Sequence, residues 1–206
     1  MGEGQLLPLF PLPVVLFPGA ALPLHIFEER YRLMIGEAAR NHTEFGVILI
    51  HDRKLSTAGC TAIVDSVVKE YDDGRFDVAT TGRRRYRTLS LDQTKPYLRA
   101  AVEFFDDEDA APPAQTQLQR VMRLARRVAQ MLQSSWPDFD RTTQPSFVIA
   151  NRLPLDPAFQ QQLLVQRSEN ERLAALTDHL EALSERLETM QRTQQVARTN
   201  GQGGGH

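Results

Sequence analysis

The segment from Leu7 to Met34, LPLFPLPVVLFPGAALPLHIFEERYRLM, most constrains what this chain can become. Its prolines at 8, 11, 13, 18 and 23 each lack a backbone N–H and fix φ. They are incompatible with a helix interior or with a strand bonded along both sides. The apolar residues between them still need burial. The segment therefore predicts short edge-like strands at 6–10 and 14–17, a Pro18-Gly19 turn, and a third apolar run at 22–27. The period then changes. Phe27, Tyr31, Met34, Ile35 and Ala38 recur at helical spacing, which predicts an amphipathic helix over 28–40 with Glu28 at its cap and Glu29 in its first turn. The same prolines exclude a secretory signal peptide, and no apolar run reaches the roughly 18 residues a membrane span needs.

Downstream the pattern is that of strands. FGVILI at 45–50 is a buried-strand run. TAIVDSVVKEY, Asp72-Asp73-Gly74 and RFDVATTG form two β-branched arms around an Asp-Gly turn, a strong hairpin signal. Runs at 83–91 and 97–105 add further strands. Six or seven strands with one helix inserted early predict a mostly antiparallel β domain, a closed or partly closed barrel.

The composition shifts at Asp106-Asp107-Glu108-Asp109 and Pro112-Pro113. Beyond this acidic linker the periodicity is helical. Leu118, Met122, Ala125, Ala129 and Leu132 share one face of a helix over 114–134. A short helix follows over 143–152. Asp156-Pro157 caps and opens another, reaching about 166. Ser168-Glu169-Asn170-Glu171 is a capping box for the last helix. That helix carries a stripe of Leu173, Leu176, Leu180, Leu183, Leu187 and Met190, expected to face the 114–134 helix antiparallel or to form a coiled-coil arm. Trp136-Pro137 with Phe139 is expected to plug a loop between helices. The domain reading is 1–109 β domain, 110–117 linker and helix start, 118–198 helical domain and 199–206 flexible tail.

Together LPLFPLPVVLFPG at 7–19, LPLHIFEERYRLMI at 22–35, FGVILI, GCTAIV at 59–64, DGRFDVATTGRRRYR at 73–87 and PYLRAAVEF at 96–104 resemble the N-terminal, substrate-binding domain family of Lon protease. LPLDPAFQQQLLVQRSENERLAALTDHL at 153–180 is similar to the helical half of that family. The resemblance covers residues 6–190. It implies an α+β fold: a PUA-like antiparallel β-barrel with one inserted helix, followed by an α-helical bundle. It also implies recognition of protein substrates ahead of ATPase and peptidase domains. This sequence holds no G-x-x-x-x-G-K-[ST] phosphate loop, so the expectation is the recognition half alone, as a stand-alone protein.

Chemistry-bearing residues are sparse. Net charge is −2 over 206 residues, which disfavours nucleic acid and anionic membrane as partners. The single cysteine, Cys60, excludes an intramolecular disulfide and a cysteine zinc cluster and points to a reducing cytoplasm. It reads as a buried structural thiol. The histidines at 25, 42, 51, 179 and 206 show no metal-ligand spacing, so no metal or cofactor is expected. His25 in its apolar run reads as a core or edge histidine. Glu28, Glu29, Arg30, Tyr31 and Arg32 mark either a polar pocket or a scaffold in which Glu28 caps the helix and Arg30 locks helix to sheet. Arg83, Arg85 and Arg87 are expected on one face of a strand, with Arg84 and Tyr86 on the other; with Arg99 they are the residues an RNA-binding reading would use.

The candidate binding or domain-junction residues are His25, Glu28, Arg30, Tyr31, Arg83, Arg85 and Tyr86. The expected function is a non-catalytic binding module for unfolded or extended polypeptide, with a protease or chaperone as candidate partner and the oligomeric state open. RNA binding, and a small-ligand or hydrolase cleft at the β/α junction, are the alternatives.

Overall fold

The structure is a computed structural model. It describes residues 6–108, 112–134, 136 and 144–201, with side chains as far as 193. Residues 109–111 of the expected linker, Pro137, Phe139, the Thr143 helix start and the tail from 202 lie outside the described residues. The chain divides into two compact units, 1–108 with 154–167, and 109–153 with 168–206. The segment 154–167, grouped with the helices on sequence grounds, thus belongs to the sheet unit.

The first unit holds β1 (Leu7–Leu12), β2 (Leu24–Ile26), α1 (Glu29–Asn41), β3 (Phe45–His51), β4 (Lys54–Glu70), β5 (Phe76–Asp92), β6 (Arg99–Phe104) and α4 (Pro157–Val165). Its six-stranded sheet has the order β2-β5-β4-β3-β1-β6, and β6 also pairs with β5. The sheet curls far enough for the second half of β5 to meet β6, while β2 stays outside as a free edge.

The sheet is mostly antiparallel, as expected, though other expectations need correction: among the described strands β1 runs parallel to β3, from Leu9 opposite Gly46 to Leu12 opposite Leu49. Parallel neighbours need a long connection between them, and the stretch through β2 and α1 supplies it. Strand β1 is flanked on both sides despite Pro8 and Pro11. Its partners take turns, with Leu7 and Pro8 on β6 and Leu9 to Leu12 on β3. With no N–H, neither proline donates to the ladder, and each stands opposite a single neighbouring strand. Val14–Phe17 is no strand. Bracketed by Pro13 and Pro18, it is irregular chain that still buries Val15, Leu16 and Phe17. The 83–91 run is the second half of the 17-residue β5.

The Asp-Gly hairpin forms where it was expected. Gly74 sits at φ +82, the left-handed region glycine enters at no steric cost, and Tyr71 N–H donates to the Arg75 carbonyl at 2.9 Å. Helix α1 buries Tyr31, Met34, Ile35 and Ala38, the stripe read from its spacing save for Phe27, which precedes the helix and is exposed.

The second unit holds α2 (Gln115–Met131), α3 (Pro145–Arg152) and α5 (Glu169–Gly201). The buried face of α2 is Val121, Ala125, Val128 and Ala129. Leu118 and Met122 are only half-buried, so the stripe is rotated from the expected one. On α5, Leu173, Leu176 and Leu180 are buried, Leu183 and Leu187 half-buried, and Met190 is exposed. The two helices run parallel, not antiparallel. Arg120 pairs with Glu181, and Arg127, seven residues on, pairs with Glu188, also seven residues on. Apolar stripes carry no direction, and the long connection through α3 and α4 brings the chain back for a parallel pairing. Of the expected capping box, Ser168 Oγ accepts from Glu171 N–H at 3.2 Å.

Candidate functional site

A groove of about 1110 Å³ opens along α1. One wall is α1 itself, with Glu29, Arg32, Leu33, Gly36, Ala39 and Arg40; the other comes from β4, β5 and their turn, with Val67, Glu70, Gly74 and Phe76, and Pro96 lies beside them. The α1 wall is the face opposite the buried stripe. Gly36 and Ala39 lower it, so an occupant can approach the helix closely, while Leu33 and Val67 are each 44% exposed. Arg32 ties helix to hairpin by donating from Nη1 to the Asp73 carbonyl at 2.9 Å. Its Nε is buried without a partner.

Glu28 and Arg30 line this groove, but neither acts as expected. The Glu28 carboxylate makes no cap bond to the helix; it pairs with Arg30 at 2.8 Å instead. The lock between helix and hairpin is Arg32. Tyr31 lies beneath, packed on Phe10 with ring centroids 4.3 Å apart and under the Arg30 guanidinium. Burial raises its pKa, opposed by Arg30 and assisted by Glu28.

His25 is on β2, the free edge of the sheet. Its side chain is 44% exposed, not buried in a core. Nδ1 lies 2.5 Å from Asp77 Oδ1, and Asp77 Oδ2 accepts from the Tyr71 hydroxyl at 2.8 Å. Hydrogen bonds from His25 and then Tyr71 hold the Asp77 carboxyl below its ordinary range.

The arginine run does not form one basic face. Cys60 stands opposite Arg85 and Ala62 opposite Gly82, so Thr61 faces both Arg83 and Arg84. This bulge breaks the alternation. Arg83 and Arg84 are exposed, whereas Arg85 and Tyr86 are both buried. Arg85 donates from Nη1 to the Leu164 and Gln166 carbonyls at 3.1 and 2.6 Å, and from Nη2 to Asp107 at 2.6 Å. It thereby satisfies carbonyls that the end of α4 leaves without helical partners. Tyr86 donates to the Val47 carbonyl at 3.1 Å. A side chain at Gly59 would overlap it: an added Cβ would lie 2.3 Å from that carbonyl and 2.5 Å from the Tyr86 hydroxyl. Burial pushes the Tyr86 pKa upward, and it pushes the Cys60 thiol up to about 12. Of the other arginines in the RNA reading, Arg99 is held by Asp92 at 2.8 Å and Arg87 lies 3.9 Å from Glu103.

The structure thus gathers Glu28 and Arg30 at one groove with Tyr31 under it, and leaves His25, Arg83, Arg85 and Tyr86 elsewhere. Sequence reading passed over Leu33, Gly36 and Arg40. Their spacing of three and four residues marks a second face of α1, but its mixture of charge, leucine and glycine has no hydrophobic period to reveal it. Among the described residues no group of three or more His, Cys, Asp or Glu side chains could hold a metal ion, and no helix is long and apolar enough to cross a membrane.

Comparison with known proteins gives a consistent result. A family model described as the ATP-dependent protease La (LON) substrate-binding domain matches residues 6–182. Lon protease 2 of Myxococcus xanthus is 27% identical over 139 residues, covering 62% of this chain and 17% of that protein. Lon protease 2 of Syntrophobacter fumaroxidans is 24% identical over 195 residues, covering 88% of this chain and 25% of that protein. The chain therefore spans about a quarter or less of these relatives. In fold it is similar to the crystal structure of a Lon N-terminal domain protein from Xanthomonas campestris, with TM-score 0.65, 24% identity, and 84% and 96% of the two chains covered. It is similar also to the N-terminal domain of the Mycobacterium avium complex Lon protease, with TM-score 0.63, 19% identity, and 86% and 98% covered.

Proposed function

Because this chain belongs to the ATP-dependent protease La (LON) substrate-binding domain family, we propose that it is a non-catalytic module that recognises unfolded or extended polypeptide through the groove along α1. The observation that carries this reading is the make-up of the groove. Leu33, Val67, Phe76 and Pro96 offer apolar surface open to solvent, and charged side chains rim it. Exposed apolar surface with a polar rim is the arrangement that docks another chain. The free edge of β2 lies in the same unit and offers backbone groups for strand addition. A protease or chaperone that receives the bound chain is the corresponding partner, in a reducing cytoplasm that keeps Cys60 a thiol.

The test is fluorescence anisotropy with a labelled, reduced and carboxymethylated protein as the unfolded probe. Saturable binding that Leu33→Glu and Val67→Glu each weaken is the expected result. No binding at the highest soluble concentration, or binding indifferent to both substitutions, sinks the reading. RNA binding is disfavoured by the burial of Arg85 and the pairing of Arg99; an oligonucleotide that shifts at low salt would revive it.

A further inference from the structure

The charges around the α1 groove are not distributed at random. Glu29, Leu33, Gly36 and Arg40 follow one another at steps of four, three and four along one face of the helix. An acid therefore stands at one end of this wall and a base at the other, about 16 Å apart at the helical rise. Within the groove Arg30 holds Glu28, and away from it Arg75 holds Asp73, Arg84 holds Glu44 and Arg99 holds Asp92. Among the described residues Glu29, Glu70 and Arg40 have no ion-pair or hydrogen-bond partner, yet all three line the groove. The Arg32 contact with Asp73 sets the hairpin turn against the first turns of α1, which brings Glu70 toward the Glu29 end.

We infer that the groove selects polypeptide segments of bipolar charge: an apolar centre flanked by one basic and one acidic residue, about five residues apart in extended chain. The basic residue seats at Glu29 and Glu70, the acidic one at Arg40, and the apolar centre on Leu33 and Val67. Glu29 and Arg40 also suit the two ends of the helix dipole, so stability alone cannot reveal this role and the ranking of peptides must. The inference rests on the polypeptide-binding reading and adds the charge pattern.

Four labelled peptides that share an apolar centre separate the possibilities: Lys at one end and Asp at the other, Lys at both, Asp at both, and Ser at both. Binding is measured by anisotropy to the whole chain. The Lys/Asp peptide is expected to bind about three- to tenfold more tightly than the Ser/Ser peptide at low salt, the scale of two exposed ion pairs. The advantage should shrink as salt rises. Arg40→Glu should transfer the preference to the Lys/Lys peptide, Glu29→Lys with Glu70→Lys should transfer it to the Asp/Asp peptide, and all three exchanges together should restore the Lys/Asp peptide. Equal binding of all four peptides, still lost in Leu33→Glu, overturns the charge pattern and leaves polypeptide recognition standing. No binding by any of the four overturns both, and an unchanged ranking in Arg40→Glu overturns the seat assigned to the acidic residue.

Discussion

Among the described residues each unit of the molecule buries one arginine, and the two are held in opposite ways. Arg85 in the sheet unit is 2% exposed and reaches mainly main-chain carbonyls, those of Leu164 and Gln166, with Asp107 as its carboxylate. Arg172 in the helical unit is fully buried. It meets Glu169 at 2.7 Å and Ser146 Oγ at 2.8 Å, above the ring of Phe147. Glu169 in turn accepts from Ser146 N–H at 2.8 Å. Both arrangements serve a helix terminus, the C-terminal end of α4 in one case and the N-terminal end of α3 in the other. They differ in what removal leaves behind. The Gln166 carbonyl and a partly exposed Asp107 can turn to water, but a buried Glu169 cannot. The sheet unit uses its charge to hold a segment about 80 residues away in sequence, while the helical unit uses a compact pair to start a helix.

The largest expected effect follows from that difference. Arg172→Leu leaves Glu169 buried and unpaired, at a cost of about 3–5 kcal/mol. Chemical denaturation measures it, and adding Glu169→Leu should recover part of the loss. Arg85→Leu should cost less, about 1–3 kcal/mol, the scale of unmet but hydratable acceptors. A cost equal to that of Arg172→Leu would break the comparison.

Cys60, paired in register with Arg85, reports on the same place. With its thiol pushed up to about 12 by burial, it should resist alkylation at pH 8 in the native protein and label faster in Arg85→Leu. A smaller effect belongs to Asp77. Its folded pKa is depressed, so the stability it adds is present above the ordinary carboxylate range and is lost as pH falls through the depressed value. The melting-temperature gap between wild type and Asp77→Asn should therefore narrow on acidification below pH 4. A gap that widens there would show that the His25 contact acts differently. Smallest of all, Arg30→Ala removes an exposed pair to Glu28 and should change stability by under about 1 kcal/mol.

Features set by a few neighbouring residues were legible in the sequence. The Asp-Gly turn at Gly74, the buried stripe of α1 and the Asp156 cap, whose Oδ1 accepts from Ala158 N–H at 2.8 Å, all follow from local chemistry. Features set by a partner distant in sequence were not. The bulge opposite Thr61 reverses the facing of Arg85, and no alternation within 83–87 shows it. The parallel pairing of β1 with β3, and of α2 with α5, depends on where the connecting chain returns. The α1 groove was half legible: HIFEERYR drew notice to Glu28 and Arg30, but the opposite wall comes from a hairpin about 40 residues away.

The parallel pairing of α2 and α5 has a mechanical consequence. The chain enters α2 at one end of the pair and leaves α5 at the other. Tension between residues 112 and 193 therefore acts along the seam and loads its leucines and the Arg120–Glu181 and Arg127–Glu188 bridges together, in shear. An antiparallel pair whose chain entered and left at one end would be peeled open contact by contact. Pulled from those two points in an optical trap, this unit should yield in one abrupt step.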